Sequence, residues 1–350
     1  MIRFSKPLLL ASGAFAFLLC GHFAAGQTAG SSALTPAVTP YIDAHTHAQR
    51  DDPEGSVRLV LQAMKGLNGA KAIILMEPYG PNNPDAWEAE TILPAAKKYP
   101  DKIAVLGGGG SLNEMILESS RTGDAGPDVQ RRFRARAEEL LRGGVAGFGE
   151  LSTEHFSLPT SPVKDYEYAP ADSPLMLLLA DIAAEHNVPI DLHMEAVPRD
   201  MPAPAGLKPP NPPQLHGNFA ALERLLAHNP RAKLVWAHAG ADNTGYRSPE
   251  LMRPLLQRHP NLYMEIKYDP NALGKNPPIG PDGKLKPEWL KLYEDFPDRF
   301  LIGSDQHYEP SAHGPLTRAQ ANALLLNQLS VSLRQKIGME NPLRLYHFGG

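Results

Sequence analysis

The chain has 350 residues, 42% of them hydrophobic, with 34 basic and 38 acidic side chains and a single cysteine. That length and apolar content suffice for one large core. The slight acidic excess disfavours a surface built for a nucleic-acid phosphate backbone, and one cysteine excludes an internal disulfide.

Residues 1–26 read as an export signal. Arg3 and Lys6 form a basic start, Pro7 to Leu19 is an apolar run too short to span a membrane, and Ala24-Ala25-Gly26 offers a small-residue cleavage site before Gln27. Leu19 ahead of Cys20 is too large for a lipoprotein signal. Cleavage would remove two basic residues and no acidic one, so the mature charge becomes 32 − 38 = −6. It would also remove Cys20, so a metal site must use nitrogen and oxygen ligands. The expectation is an exported protein, periplasmic or secreted, with no stable membrane span. Residues 27–40 are read as a linker and 41–350 as one domain.

Eight short β-type runs follow, beginning near Tyr41, Lys71, Lys102, Val145, Val188, Lys233, Asn261 and Arg299. Amphipathic windows lie between them. Val129, Phe133, Leu140 and Leu141 share a face ahead of Gly143-Gly144, and Leu175, Leu178, Leu179 and Ile182 share another after the Ser173-Pro174 start. Tyr99-Pro100, Asn229-Pro230, His259-Pro260 and Phe296-Pro297 each precede a strand run, where proline stops a helix. Repeated αβ units imply a parallel sheet, and eight of them predict a (β/α)8 TIM barrel with long active-face loops. An open doubly wound sheet is the alternative. The segments 152–172, 196–215 and 269–286 are long, rich in proline or glycine, and follow strands, which places them over the active face.

Metal-competent side chains end five of these strands. His45 and His47 sit two apart and so point the same way. The run near Val188 alternates Asp191, His193 and Glu195 against Ile190, Leu192 and Met194, which turns His193 toward the barrel axis. Glu150 ends the fourth run, His238 the sixth and Asp305 the eighth. Each alone is as readily a satisfied core polar group. Together they describe buried charge that a divalent cation would offset.

His45-x-His47, Glu150, His193, His238 and Asp305, in that order, resemble the metal-dependent amidohydrolase superfamily. More narrowly they resemble its amidohydrolase-related branch, with a glutamate similar to that of TatD-type and phosphotriesterase-like groups. The likeness runs from about Tyr41 to Leu345. It implies that His45, His47 and Asp305 hold a buried metal, that Glu150 bridges two metals, and that His193 and His238 hold the second. In single-metal relatives, one of the last pair would instead polarise the substrate. It implies one or two zinc ions, with manganese, iron, nickel and cobalt as alternatives, and no organic cofactor.

The expected function is hydrolysis of an ester, lactone, amide or phosphoester in a small molecule by metal-bound hydroxide, with Asp305 and His238 catalytic. A single-zinc decarboxylase, acting on a C–C bond, is the alternative, and a silent binding protein a third. Among lesser candidates, Lys267 reaches a substrate anion or pairs with Glu265 or Asp191, and Arg199 clamps a carboxylate or is solvated. His155 and His307 are expected on loops as surface histidines. Asp43 is expected to accept from a ligating imidazole, and Gly107 to Gly110 to form a flexible turn.

Overall fold

A computed structural model describes residues 34–158, 165–239, 241–270, 276–312 and 314–348. The apolar run 7–19, Cys20 and the cleavage site at Gly26 lie outside the described residues. Among the described residues no helix is long and apolar enough to cross a membrane.

Eight strand positions follow in chain order: β1 (Tyr41–Ala48), β2 (Gly69–Leu75), β3 (Ile103–Val105, resumed at Gly107–Gly108) and β4 (Phe148–His155). Then come β5 (Pro189–Met194), β6 (Lys233–Ala239), β7 (Leu262–Ile266) and β8 (Phe300–Ile302, resumed at Gln306–Tyr308). Every neighbouring pair is parallel, and the interruptions in β3 and β8 are where the ring changes partner. The first part of β3 pairs with β2 and its continuation with β4. The first part of β8 pairs with β7 and its continuation with β1, at His47 and His307 among others. The sheet therefore closes, and the chain is a (β/α)8 barrel.

Two apolar layers fill it. Ile42, Ala44, Ile73, Leu75, Ala104 and Leu106 join Val235 and Leu301 in a cluster that also takes Leu345 and Tyr346 from the C-terminal end. A larger cluster lies between strands and helices, with Ile190, Leu192, Met194, Leu262, Met264 and Ile266 facing it. These six are the residues whose alternation opposes His193, Glu265 and Lys267, so both strands carry their polar face inward as expected.

The helices begin and end largely where the local chemistry puts them. The helix α1 (Pro53–Leu67) is capped by Asp52, whose side chain accepts from Gly55 N at 2.8 Å. After α2 (Leu93–Ala96) come α3 (Leu112–Thr122) and α4 (Pro127–Gly143), the latter ending on a left-handed Gly144. Ser173 precedes α5 (Pro174–His186), but its hydroxyl makes no capping bond; Pro174 alone marks that start. The next three are α6 (Phe219–His228), α7 (Pro249–Arg258) and α8 (Pro287–Asp295), each followed within two residues by its expected proline. Finally, α9 (Thr317–Leu326) follows β8. Residues 34–40 are tied to α9 and the turn after it, through Thr35 N to Gln320 Oε1 and Val38 N to Asn327 Oδ1, both 2.8 Å.

The first long segment starts later than expected, because β4 runs on through Ser152 to His155. It and the second segment share a small core of their own, where Phe156, Val197 and Leu215 are buried with Tyr166, Met201 and Leu207 against them. The cover over the active face is thus a packed body.

The glycines at 107–110 are not a flexible turn. They let β3 slide under its neighbours: a Cβ on Gly109 would lie 2.5 Å from Glu77 O and 2.6 Å from Met76 O, and one on Gly110 only 1.8 Å from Trp87 O. Gly110→Ala is expected to abolish folding, read as loss of soluble protein with a cooperative melt. A normal melt would show that the Trp87 backbone can move aside.

Candidate metal centre

Three strands reach the cage through a fault in their ladder. On β1, Asp43 pairs with Ala72 and Thr46 with Ile74, so three residues span two. On β6, Trp236 pairs with Met264 and Ala239 with Ile266, again three against two. On β4, Phe148 pairs with Ile190 and Leu151 with Leu192. Each bulge holds or adjoins a candidate ligand: His45, His238 and Glu150. A bulge shifts the alternation by one residue and re-aims a side chain. With Ile42 and Ala44 facing inward, regular pleating would turn His45 and His47 toward the helices. The bulge brings them in. In β8 the same end is reached by a break, with Asp305 between its two parts at φ +53°, while His238 sits at φ +65°. Left-handed backbone is uncommon for residues with a Cβ, although Asp and His adopt it more readily than most.

All six expected residues converge. His45 Nε2 and His47 Nε2 lie 3.2 Å apart, each 3.5 Å from Glu150 Oε2, and Asp305 Oδ1 is 3.0 Å from His47 Nε2. On the other side, Glu150 Oε1 is 2.8 Å from His193 Nδ1 and 3.1 Å from His238 Nε2. The two oxygens of one carboxylate thus face two different imidazole pairs. All six are buried except His193, whose side chain is 14% exposed at the mouth. Beside it a small cleft is walled by Glu195, Asp242 and Arg247.

The donor set fits a divalent cation. His47 Nδ1 donates to Leu75 O at 3.1 Å, and His45 Nδ1 faces Glu265 Oε2 at 2.7 Å. Leu75 O holds a proton on His47 Nδ1, and the Glu265 carboxylate beside His45 Nδ1 favours one there, so the two Nε2 atoms are left facing each other at 3.2 Å with carboxylate oxygens around them. Such a grouping is stable only around positive charge. Nitrogen and carboxylate donors without sulfur suit zinc and its first-row neighbours.

The carboxylates of the cage call for positive charge, whether it is carried by ring protons or by a cation. Burial alone would depress His47, but the carboxylates of Glu77 and Asp305 override it and hold the ring near 9; Glu150 and Glu195 do the same for His193, also to about 9. Burial would raise Glu150, yet the imidazoles of His45, His193 and His238 keep it well below the usual carboxylate range. Asp305 is likewise held low, against burial, chiefly by Lys267 and Arg318.

Around the cage several expectations are corrected. Asp43 does not support an imidazole: its carboxylate accepts from Ser304 N at 2.8 Å and Ser304 Oγ at 2.6 Å, tying β1 to the break in β8. Its expected part falls to Glu265, which faces both His45 and, at 3.7 Å, His238 Nδ1. Lys267 pairs with neither Glu265 nor Asp191; its Nζ donates to Asp305 Oδ2. His155 is no surface residue: it ends β4, is buried, and packs its ring 4.4 Å from that of His193. His307 opens to solvent partly and lies 3.3 Å from Glu77 Oε1. Arg199 is exposed, as the solvated reading has it. Sequence reasoning missed Glu77 and Arg318. Glu77 follows β2 by two residues, and its place among the strand-end carboxylates was the available signal; Arg318 gave none.

Glu167 lies in a two-residue strand paired with β4 opposite His155. Burial lifts its carboxyl from the ordinary 4.5 to about 8. The folded chain then holds a proton that the unfolded chain has released, so there is no penalty below pH 4.5 and a growing one as pH rises to 8. Glu167→Gln is expected to flatten that loss, gaining on the order of 3 kcal/mol over the parent at pH 8. Matched urea denaturations at pH 5 and pH 8 measure it, and parallel losses in both proteins would contradict it.

The amidohydrolase family model matches residues 120–348 of the 350. The chain belongs to the amidohydrolase family. This amidohydrolase is therefore an enzyme of a superfamily that acts on small molecules, and its histidine–glutamate clusters can hold metal. Among solved structures it is similar to a probable 2-pyrone-4,6-dicarboxylic acid hydrolase from Acinetobacter baumannii with citric acid bound, at 14% identity over 87% of this chain and 98% of that one, TM-score 0.47. It is also similar to an amidohydrolase from Pseudomonas aeruginosa, at 10% identity over 87% and 94%, TM-score 0.44. A third is amidohydrolase 2 from Bifidobacterium longum subsp. infantis, at 12% over 89% and 100%, TM-score 0.41. No curated protein matches the chain.

Proposed function

We propose that this amidohydrolase is a hydrolase of a small-molecule ester, lactone, amide or phosphoester, working with two divalent cations that Glu150, set between the His45–His47 and His193–His238 pairs, would help to hold. The observation that carries the reading is the split of that carboxylate, with Oε2 toward His45 and His47 and Oε1 toward His193 and His238. Cations held there supply acidity to a bound water and positive charge at the scissile carbonyl or phosphoryl oxygen. The rest falls to the protein. Asp305 presents Oδ1 to the cage, takes the proton of the attacking water there and passes it to the leaving group. Lys267 and Arg318 on Oδ2 weaken its grip, so the proton moves on. Glu265 and Leu75 O fix the orientation of His45 and His47, and the packed cover excludes bulk water.

Elemental analysis of protein purified without chelator, paired with a panel of esters, lactones, N-acyl amino acids and phosphotriesters, tests the proposal. Two cations per chain and hydrolysis of one class are expected. A single cation with release of carbon dioxide from a carboxylic acid would favour a decarboxylase instead.

A further inference from the structure

We propose that Arg247 and Arg318 are positioning residues, each clamping the left-handed backbone turn that aims one ligand, His238 or Asp305, into the cage. The proposal rests on the two-cation reading above. Neither arginine lies in a strand, and each reaches back from the segment that follows its ligand. Arg247 donates through Nη1 to Ala237 O and through Nη2 to Trp236 O at 2.7 Å. Those are the two carbonyls immediately before His238, inside the bulge of β6. Arg318 donates through Nη1 to Asp305 O at 2.6 Å and to Asp305 Oδ2 at 3.1 Å, and through Nε to Asp269 Oδ2 at 2.8 Å.

The need for a clamp follows from the backbone. His238 and Asp305, at φ +65° and +53°, are the candidate ligands in left-handed conformation. That conformation carries a steric cost for any side chain with a Cβ, and it persists only where the surroundings hold it. A bulge also leaves a residue outside the ladder, so carbonyls there need another donor. A guanidinium answers both demands, because its planar fork presents several donors in fixed directions.

Arg247 shows how far the fold commits to this. It is 3% exposed, its guanidinium lies 4.0 Å from the centre of the Trp236 ring, and no carboxylate is within ion-pair distance among the described residues. Its Nε makes no hydrogen bond, and Asp242, Glu265, Glu195 and Asp191 act on it only from beyond ion-pair distance; a buried cation held chiefly by two carbonyls and a ring is costly to keep unless those carbonyls need it. Arg318 does the corresponding work at the other ligand from the first turn of α9, with Lys267 sharing Asp305 Oδ2. One clamp thus serves each half of the cage: Arg247 the His193–His238 half, Arg318 the His45–His47–Asp305 half.

The full chain loaded with cobalt(II) tests this, comparing the parent with Arg247→Met, Arg247→Lys and Arg318→Ala. Cobalt affinity by chelator competition is expected to fall 10- to 100-fold in each, as it does when groups behind a metal ligand are lost. The visible cobalt bands should change position or intensity while far-ultraviolet circular dichroism stays the same. A lysine carries its donors on one nitrogen and cannot reproduce the planar two-nitrogen fork, so Arg247→Lys should resemble Arg247→Met. The Arg318 side chain is 30% exposed, so added guanidinium should restore cobalt affinity to Arg318→Ala where methylammonium does not. If Arg247→Met does not fold, Arg247→Lys and Arg318→Ala carry the decision. A parent that binds cobalt, beside folded variants matching it within about twofold and with unchanged bands, overturns the clamps. A parent that binds no cobalt overturns the cage itself.

Discussion

Glu150→Ala is expected to lower the cation content from two per chain to at most one and to reduce turnover by about 1,000-fold, near 4 kcal/mol. The mutation removes the carboxylate that lies against both members of each imidazole pair, at 2.8 to 3.5 Å on its two oxygens. The first half keeps His45, His47 and Asp305, while the second loses the carboxylate between its two imidazoles and keeps only Glu195, 3.8 Å from His193 Nε2, and Glu265, 3.7 Å from His238 Nδ1. Loss should therefore fall on the His193–His238 position. Elemental analysis of the purified variant and initial rates on the best substrate of the parent read the outcome. Two retained cations with unimpaired turnover would dismiss the bridge.

Asp305→Asn separates chemistry from binding. The amide keeps the shape and one oxygen but cannot take a proton, so turnover is expected to fall 100- to 10,000-fold, the usual range for a lost acid–base group. Cation content should survive in part through His45 and His47. The substitution also leaves Lys267 and Arg318 facing a neutral group, and that cost should lower the melting temperature. Near-normal turnover in a folded variant would remove Asp305 from the proton path.

Much of this architecture is legible in the chain. Period-two alternation in β5 and β7 gave the inward faces that carry His193, Glu265 and Lys267, because both strands are regular there. It could not give them for β1 and β6. Reading on from Ile42 and Ala44, or from Val235, the pleat would point His45, His47 and His238 outward, and only the bulges reverse this. A bulge leaves no mark in a single sequence where no glycine announces it. Partner choice was equally hidden. Asp43 lies two residues from His45 yet serves Ser304, 261 positions away, and Arg318 finds Asp305 through the entry of a helix. The glycine run misled for a related reason: its missing side chains make room for neighbouring backbone, and close approach looks the same as looseness in a string of letters.

Ring closure also constrains when the centre can exist. The histidines of the first half stand on the strand made earliest, Asp305 on the one made last, and the Asp43–Ser304 tie spans nearly the whole barrel. A chain emerging from the ribosome exposes His45 and His47 long before their carboxylate partner is translated. On the proposed reading, tight cation capture waits for the C-terminal strand, and a polypeptide arrested short of it would be left with a half-built, weakly binding mouth.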